Sequence, residues 1–237
     1  MSLSYGSNAI SLIKLKKALP ICGNKKLAFS NVEIIIRAKK YKFKKIDINQ
    51  IKYLPIKLKK NVLKNVRNIT KKRKKILGLN LNKFVIFGVL NVTPDSFSDG
   101  GKFNKLKLAI KRSRQMSNEG ANVIDVGGES TRPGAKLITI TQEKKRVLQV
   151  ISKIKKFNVS IDTRKSEVMI AAVKNGAKII NDVSALDFDQ KALEVVANLK
   201  KPVILNHSKG TPDIMQNNPK YRNVLLDIYD YFENKIQ

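Results

Sequence analysis

Cysteine occurs once, tryptophan is absent, and acidic residues are scarce: 18 Asp and Glu stand against 48 Lys and Arg in 237 residues. The single Cys22 excludes an internal disulfide and a cysteine-built metal cluster. No run of 18 or more apolar residues occurs, which excludes a membrane-spanning helix on length alone. Residues 1–17 carry scattered lysines and no continuous apolar core ahead of a small-residue cleavage site, so no secretory signal is expected. A soluble, cytoplasmic protein is the expectation. The length suits one domain, or one domain with a small extension, and 42% hydrophobic residues suffice for a core.

A formal charge of +30 raises nucleic acid as a partner, but its distribution argues otherwise. Residues 1–83 carry 23 basic and 2 acidic side chains, net +21, whereas residues 84–237 carry 25 and 16, net +9. The excess is mostly Lys and travels with abundant Asn and Ile, the residues whose codons are richest in A and T. No nucleic-acid-binding motif accompanies it, so composition is the favoured reading and nucleic acid is not an expected partner.

The chain divides by pattern at about residue 84. Residues 1–83 form a basic N-terminal extension in which Leu27–Arg37 reads as one strand and Ile51–Lys75 as partly helical. From residue 84 short apolar runs alternate with amphipathic stretches. Strands are expected at Phe84–Leu90, Asn122–Val126, Val159–Ile161, Lys178–Asn181 and Pro202–Leu205, as continuous apolar runs suited to a parallel sheet. Helices are expected at Leu106–Asn118, Thr141–Lys156, Ser166–Asn175, Gln190–Asn198 and Tyr221–Asn234. Thr139 or Thr141 would cap the second helix; Ser166 would cap the third and Gly176 would stop it. Five βα units make an α/β fold, either doubly wound or a (β/α)8 barrel, and in both the ligand sits beyond the C-terminal strand ends. Polar residues gather there: Asn91, Asp125, Asp162, Asn181 with Asp182, and Asn206 with His207. One polar strand end is ordinary, whereas five point to a polar ligand. The only histidine, His207, reads as a hydrogen-bonded strand-end residue rather than a catalyst.

Four strings carry the chemistry. Asn91-Val92-Thr93-Pro94-Asp95-Ser96-Phe97-Ser98-Asp99-Gly100-Gly101 is a loop by composition. Gly127-Gly128-Glu129-Ser130-Thr131-Arg132-Pro133-Gly134 combines glycines that admit a ligand to the backbone with hydroxyl and guanidinium donors for an anion. Ser160-Ile161-Asp162-Thr163-Arg164 and Ile180-Asn181-Asp182-Val183-Ser184 follow. In this order and spacing the strings resemble the dihydropteroate synthase family, from about Phe84 to about Pro219.

That resemblance implies a TIM barrel and a transferase of folate biosynthesis. It implies condensation of 6-hydroxymethyl-7,8-dihydropterin pyrophosphate with 4-aminobenzoate to 7,8-dihydropteroate and pyrophosphate. It further implies Mg2+ as cofactor with Asn91 as its ligand, Asp162 and Asn181 on the pterin ring, and Asp125 supporting that pocket. Ser130 and Thr131 would bind substrate, while Asp99 and Arg132 would act in catalysis from two loops, with Asp95 beside Asp99. Arg164 reads as a helix-start or surface contact. A homodimer is among the assemblies the resemblance allows.

Three family segments, a Gly-rich Asp, a Ser-Arg-Lys and an Arg-x-His segment, find no match here, and five βα units stand in place of eight. The expectation is therefore an incomplete barrel over residues 84–237, whose activity alone is open; an inactive pterin-binding remnant is the alternative. Other readings are an RNA-binding role for residues 1–83 and a different pterin barrel such as a methyltransferase, which the SFSDGG and ESTRPGA strings disfavour. The pterin reading requires Asn91, Asp162 and Asn181 to share one cavity.

Overall fold

A computed structural model describes residues 2–37, 41–93, 102–130, 137–210 and 218–236, with backbone alone for 102–105. The chain divides into two compact units, Met1–Phe84 and Val85–Gln237. No helix among the described residues is long and apolar enough to cross a membrane.

The first unit opens with β1 (Leu3–Tyr5), α1 (Gly6–Lys14), β2 (Leu19–Ile21) and β3 (Asn24–Phe29), whose strands form an antiparallel sheet in the order β1-β3-β2. A hairpin of β4 (Asn31–Ile36) and β5 (Lys42–Asp47) follows, then a 3-10 turn (Ile48–Tyr53) and α2 (Ile56–Thr70). Leu27–Arg37 is thus two strands, not the single one expected. The chain changes sheets at Ser30, whose N–H meets the Ser2 carbonyl and whose own carbonyl accepts from Ile48. Phe29, Val32, Ile34, Ile46, Ile51, Leu54, Val62 and Val66 form a small core. Val62 and Val66, four apart, are the buried stripe of α2.

The second unit is five βα units: β6 (Phe87–Asn91), α3 (Lys102–Asn118), β7 (Val123–Gly127), α4 (Ile140–Ile154), β8 (Val159–Asp162), α5 (Ser166–Asn175), β9 (Ile179–Asp182), α6 (Ala192–Leu199), β10 (Val203–Leu205) and α7 (Val224–Ile236). The strands are parallel and lie in their sequence order, β6-β7-β8-β9-β10. That order decides between the two expected architectures. A doubly wound sheet reverses direction at a switch point, whereas a barrel winds one way throughout. Consecutive helices also pack on one another, α3 on α4, α4 on α5 and α5 on α6. The fold is the TIM-barrel type, with five of that architecture's eight strands and with β6 and β10 at the edges.

Side-chain alternation gives the sheet two unlike faces. Leu90, Val126, Ile161 and Ile180 are register neighbours and face the helices. With Ile124 and Val159 they bury against Ala109 of α3, Val147 and Ile151 of α4, Val168 and Met169 of α5, and Val196 of α6. Each fully buried aliphatic side chain contributes roughly 1.5–3 kcal/mol of transfer free energy, so this layer carries the unit.

Helix ends follow local chemistry. Thr139 caps α4: its hydroxyl accepts from Gln142 N at 3.2 Å, and the Gln142 side chain returns to Thr139 N at 3.0 Å. Gly176 ends α5 at φ 118, a left-handed conformation that suits glycine. Ser166 does not cap α5 as expected. Lys165 holds the N-cap position without a side-chain cap, and the Ser166 N–H donates to Asp189 Oδ2 at 2.8 Å. A distant carboxylate replaces the local hydroxyl.

Candidate functional site

The face turned away from the helices is polar at its C-terminal rim. Register partners in a parallel sheet present side chains on the same side. Asn91 is paired with Gly127, Gly127 with Asp162, and Asp162 with Asn181. Three polar side chains and a glycine therefore form one row across four strands. One row lower, Asp125 is paired with Ser160. Four of the expected residues, Asn91, Asp125, Asp162 and Asn181, thus share a face because each sits an even number of residues from its strand's neighbour on that face.

The glycine in the row has a steric role. A Cβ built on Gly127 would lie 3.3 Å from Asn91 Oδ1 and 3.4 Å from Asp162 Oδ2, between the two polar groups. Glycine at this position spares the amide oxygen and the carboxylate a side chain wedged between them. Its neighbour has a packing role on the opposite face. A Cβ on Gly128 would meet Val147 Cγ1 at 2.7 Å, so only glycine lets α4 lie this close.

Hydrogen bonds set the orientation of the row. Asn181 Nδ2 donates to Asp125 Oδ2 at 3.0 Å. Its Oδ1 accepts from Asn206 Nδ2 at 3.4 Å, so Asn206 joins the site beyond β10. Sequence reasoning placed Asn206 at a strand end without a role; its hydrogen bond to Asn181, 25 residues away, is the signal that only the tertiary structure supplies. Asp182 faces the other way. It accepts from Ser184 N at 2.7 Å, Ser184 Oγ at 2.6 Å and Leu186 N at 3.0 Å, which makes it a turn former.

Among the described residues no cation pairs with the carboxylates of this face. Burial pushes Asp162 up from 3.8 to about 7, and the charges of Asp125, Glu143, Asp182 and Glu129 add to the effect. Burial also raises Asp125, while the Ser160 hydroxyl and the Asn181 amide pull it down. Ser160 acts there by proximity, since its Oγ and Asp125 Oδ1 are both buried without a partner of proper hydrogen-bond geometry. A buried carboxylate oxygen with no donor is a costly arrangement unless a ligand supplies one.

Behind the row lies a second buried cluster, of opposite character. Glu129 Oε2 accepts from Arg164 Nε at 3.0 Å, and Lys165 Nζ bridges Glu129 Oε1 at 2.9 Å and Glu143 Oε2 at 2.6 Å. Arg164 is only 8% exposed, and its guanidinium stacks 4.1 Å above the Phe188 ring. Of the two placements expected for it, Arg164 stands at the start of α5 and is not a surface contact. Burial alone would raise the Glu129 carboxyl, but the Lys165 bond and charge, the Ile138 N–H and Arg164 hold it below the usual range. The pairing joins residues 22 to 36 apart and had no local signal in the sequence.

The remaining expected residues are less central. Ser130 follows Glu129 and is partly buried. Asp95, Asp99, Thr131 and Arg132 lie outside the described residues. His207 is a packed, hydrogen-bonded histidine. Its Nε2 lies 3.2 Å from the Tyr221 hydroxyl, and its ring meets Tyr231 edge-on at 4.6 Å. A 540 Å³ cavity runs beside Asn91 at the edge of β6, bordered by Lys111 and Arg112. A larger 670 Å³ cavity lies within the first unit, lined by Ala18, Ile51, Val66 and neighbouring residues, among them Lys16 and Lys59 but no carboxylate. It offers no converging polar groups of the kind found on the strand-end row.

The donor set bears on whether a divalent cation could be held there. No group of three or more His, Cys, Asp or Glu side chains able to hold one occurs among the described residues. Mg2+, however, is commonly held by one or two protein oxygens with substrate phosphates and water completing the shell. The exposed Asn91 amide oxygen, a hard oxygen donor, fits that mode.

Comparison with known proteins agrees with this geometry. Residues 87–237 match the family model described as pterin binding enzyme. Over 161 residues the chain is 47% identical to the dihydropteroate synthase of Escherichia coli (strain K12), covering 67% of this chain and 57% of that protein. A crystal structure of the Yersinia pestis dihydropteroate synthase with a sulfonamide drug complex superposes with a TM-score of 0.62 at 39% identity, covering 69% of this chain and 61% of that one. The Xanthomonas albilineans dihydropteroate synthase with 4-aminobenzoic acid superposes at 0.60 and 40% identity, covering 67% and 56%. The chain spans 57% of the Escherichia coli protein and 61% and 56% of the chains in these two structures.

Proposed function

The chain belongs to the pterin binding enzyme family, and we propose that it supplies the pterin-holding part of a dihydropteroate synthase. The carrying observation is the row Asn91, Gly127, Asp162, Asn181, one register deep, with the buried Asp125 carboxylate one row below it and its Oδ1 without a donor. A reduced pterin presents an amino group and ring N–H groups on one edge. Ionised Asp162 accepts two of these side by side, a charge-assisted pair that favours a pterin over rings lacking both donors. Asn181, oriented by Asp125 and Asn206, meets a second edge of the ring with its free amide hydrogen. Seated so, the pterin presents its 6-methylene group toward the open side of the row.

The reaction follows from that placement. The bond between the methylene carbon and the diphosphate oxygen breaks, and the departing pyrophosphate keeps the electron pair. The amine of 4-aminobenzoate forms the new carbon–nitrogen bond and loses one proton to the medium or to pyrophosphate. Positive charge develops on the pterin as the diphosphate leaves, and the uncompensated carboxylates of Asp125 and Asp162 stabilise it in a site of low dielectric. Asn91 would hold Mg2+, which when bound neutralises diphosphate charge. Ser130, Thr131 and Arg132 supply donors for the same anion, with Arg132 stabilising the leaving group and Asp99 acting from the other loop. Binding of both substrates in one geometry accounts for the rest of the rate.

Pterin binding without turnover is the second reading. Calorimetry with 6-hydroxymethylpterin separates the readings from their rivals: saturable binding that Asp162→Asn removes supports both, and absence of binding sinks both. Turnover of the two substrates with Mg2+ then decides between them.

A further inference from the structure

The first unit holds two hydrophobic clusters that do not merge. One is built on alanines, Ala9, Ala18 and Ala28, with Leu12 and Ile13 of α1 packed against them. The other is the core that contains Phe29, Ile51 and Val66. The 670 Å³ cavity lies between them: Ile13 and Ala18 line it from the first cluster, Ile51 and Val66 from the second. Its floor is apolar and buried, with Ala18 at 2% exposure, Ile51 at 4% and Val66 at 8%. Its rim is basic. Lys16 and Lys52 are exposed, Lys59 is half-buried, and no carboxylate is among the lining residues.

Local structure fixes these cations on the rim. Lys59 Nζ donates to the Lys52 carbonyl at 3.1 Å, at the corner between the 3-10 turn and α2. An ammonium group has further donors, so Lys59 can still meet a ligand. Lys16 closes α1: its N–H donates to the Ile13 carbonyl at 3.0 Å, and the Lys17 N–H donates to that of Leu12 at 2.9 Å. The φ of Lys16 is 57, a left-handed conformation at the place in this turn where glycine is the ordinary choice. Glycine would close the turn without strain; lysine adds a positive charge beside the cavity. Among the described residues none of the three lysines forms an ion pair. Lysine abounds in this unit, so charge alone selects nothing. The buried apolar floor beneath these three is what sets them apart.

We propose that this cavity is a second ligand site, for a free aliphatic carboxylic acid: its chain fills the gap between the two clusters, and its carboxylate meets the ammonium groups of Lys16 and Lys59. The site is independent of the strand-end row and of the function proposed for it. Its 670 Å³ falls within the roughly 300–1,000 Å³ of small-molecule sites. Burial of the chain supplies affinity in proportion to the area covered, and the rim charges supply the preference for an acid over an alcohol.

The test is titration of the full chain with octanoate below its micelle-forming concentration, with octanol as the neutral counterpart and acetate as the short one. Octanoate is expected to bind saturably, a single molecule per chain, and to shift the methyl resonances of Ala18, Ile51 and Val66. Octanol should move the same methyls at higher concentration, and acetate should bind at least about a hundredfold more weakly than octanoate. Lys16→Gly removes the charge and suits the left-handed backbone, so folding is not at risk. It should raise the octanoate Kd about fivefold and leave that of octanol within about twofold, and Lys59→Gln should act in the same sense. No saturable octanoate binding overturns the proposal, whether or not the chain then binds anionic phospholipid vesicles or an acidic amphipathic peptide. So does binding that leaves the three methyls unmoved. Octanoate affinity unchanged in both lysine variants, or octanol weakened as much as octanoate, overturns it as well.

Discussion

Two buried polar clusters lie within a few residues of each other along the chain, and they are built on opposite rules. Glu129, Glu143, Arg164 and Lys165 balance two negative charges with two positive ones. Asp125, Ser160, Asp162 and Asn181 hold two carboxylates with amides and a hydroxyl but, among the described residues, no cation. The first cluster is balanced in charge as folded, although its Glu143 Oε1 is also buried without a hydrogen-bond donor. The second leaves Asp125 Oδ1 without a donor and Asp162 raised to about 7. A balanced cluster serves the fold; an unbalanced one stores a preference for a ligand that brings donors or developing positive charge.

The contrast is broken most directly at its balanced side. Lys165→Met leaves Glu129 and Glu143 buried with Arg164 as the sole cation, and should destabilise the chain by about 3–5 kcal/mol in urea unfolding. A loss under about 1 kcal/mol would show that the network is not a closed charge system. Removing a charge from the unbalanced side should act in reverse: Asp162→Asn should stabilise the unliganded chain at pH 8 while weakening 6-hydroxymethylpterin about a hundredfold in calorimetry, the loss of a charge-assisted pair. Destabilisation there would contradict the contrast.

Acidity sharpens it further. Folding raises Asp162 to about 7 from the 3.8 of an exposed aspartate, so the folded chain holds a proton that the unfolded chain has released. Stability of the unliganded chain should therefore fall as pH rises from about 4 to 7 through this group. Pterin binding needs the ionised form, so affinity should climb about tenfold per pH unit below 7 and level off above it. Asp162→Asn should flatten the profile; a wild-type affinity independent of pH between 5.5 and 7 would refute the assignment. Glu129 has the opposite sign: its lowered carboxyl keeps its stabilising contribution at neutral pH and loses it only in acid. The smallest effect is expected at a neutral bond close to both clusters. Thr139→Ala, which removes the cap of the helix carrying Glu143, should cost about 1 kcal/mol in thermal unfolding and leave pterin affinity unchanged.

Much of this arrangement was readable along the chain. Strands β6, β8 and β9 end in Asn or Asp where apolar runs stop, and β10 stops just before Asn206, whereas β7 runs past Asp125 to Gly127, so Asp125 lies inside its strand rather than at its end. Asn91, Asp162 and Asn181 were therefore visible as strand ends before any register was known. In the first unit the same reading merged β3 and β4 into one strand, because Ser30 carries no strong turn signal and the change of sheet there depends on Ser2 and Ile48. Ser166 looked like a cap, yet Asp189 took that role from 23 residues away. Arg164 looked exposed because a charged residue at a helix start usually is, and its partner Glu129 stands 35 residues earlier.

Order along the chain thus settled which residues are apolar, which tips are polar and how the units alternate, because periodicity and turn chemistry act between near neighbours. Pairing across space settled the remainder: that Asp125 stands beside Ser160, that Gly127 spares Asn91 and Asp162 a side chain wedged between them, and that Lys165 sits between two glutamates. Such partners meet only once the sheet register and the helix packing exist, and whether a buried carboxylate is neutralised or left wanting is a property of that meeting rather than of any segment.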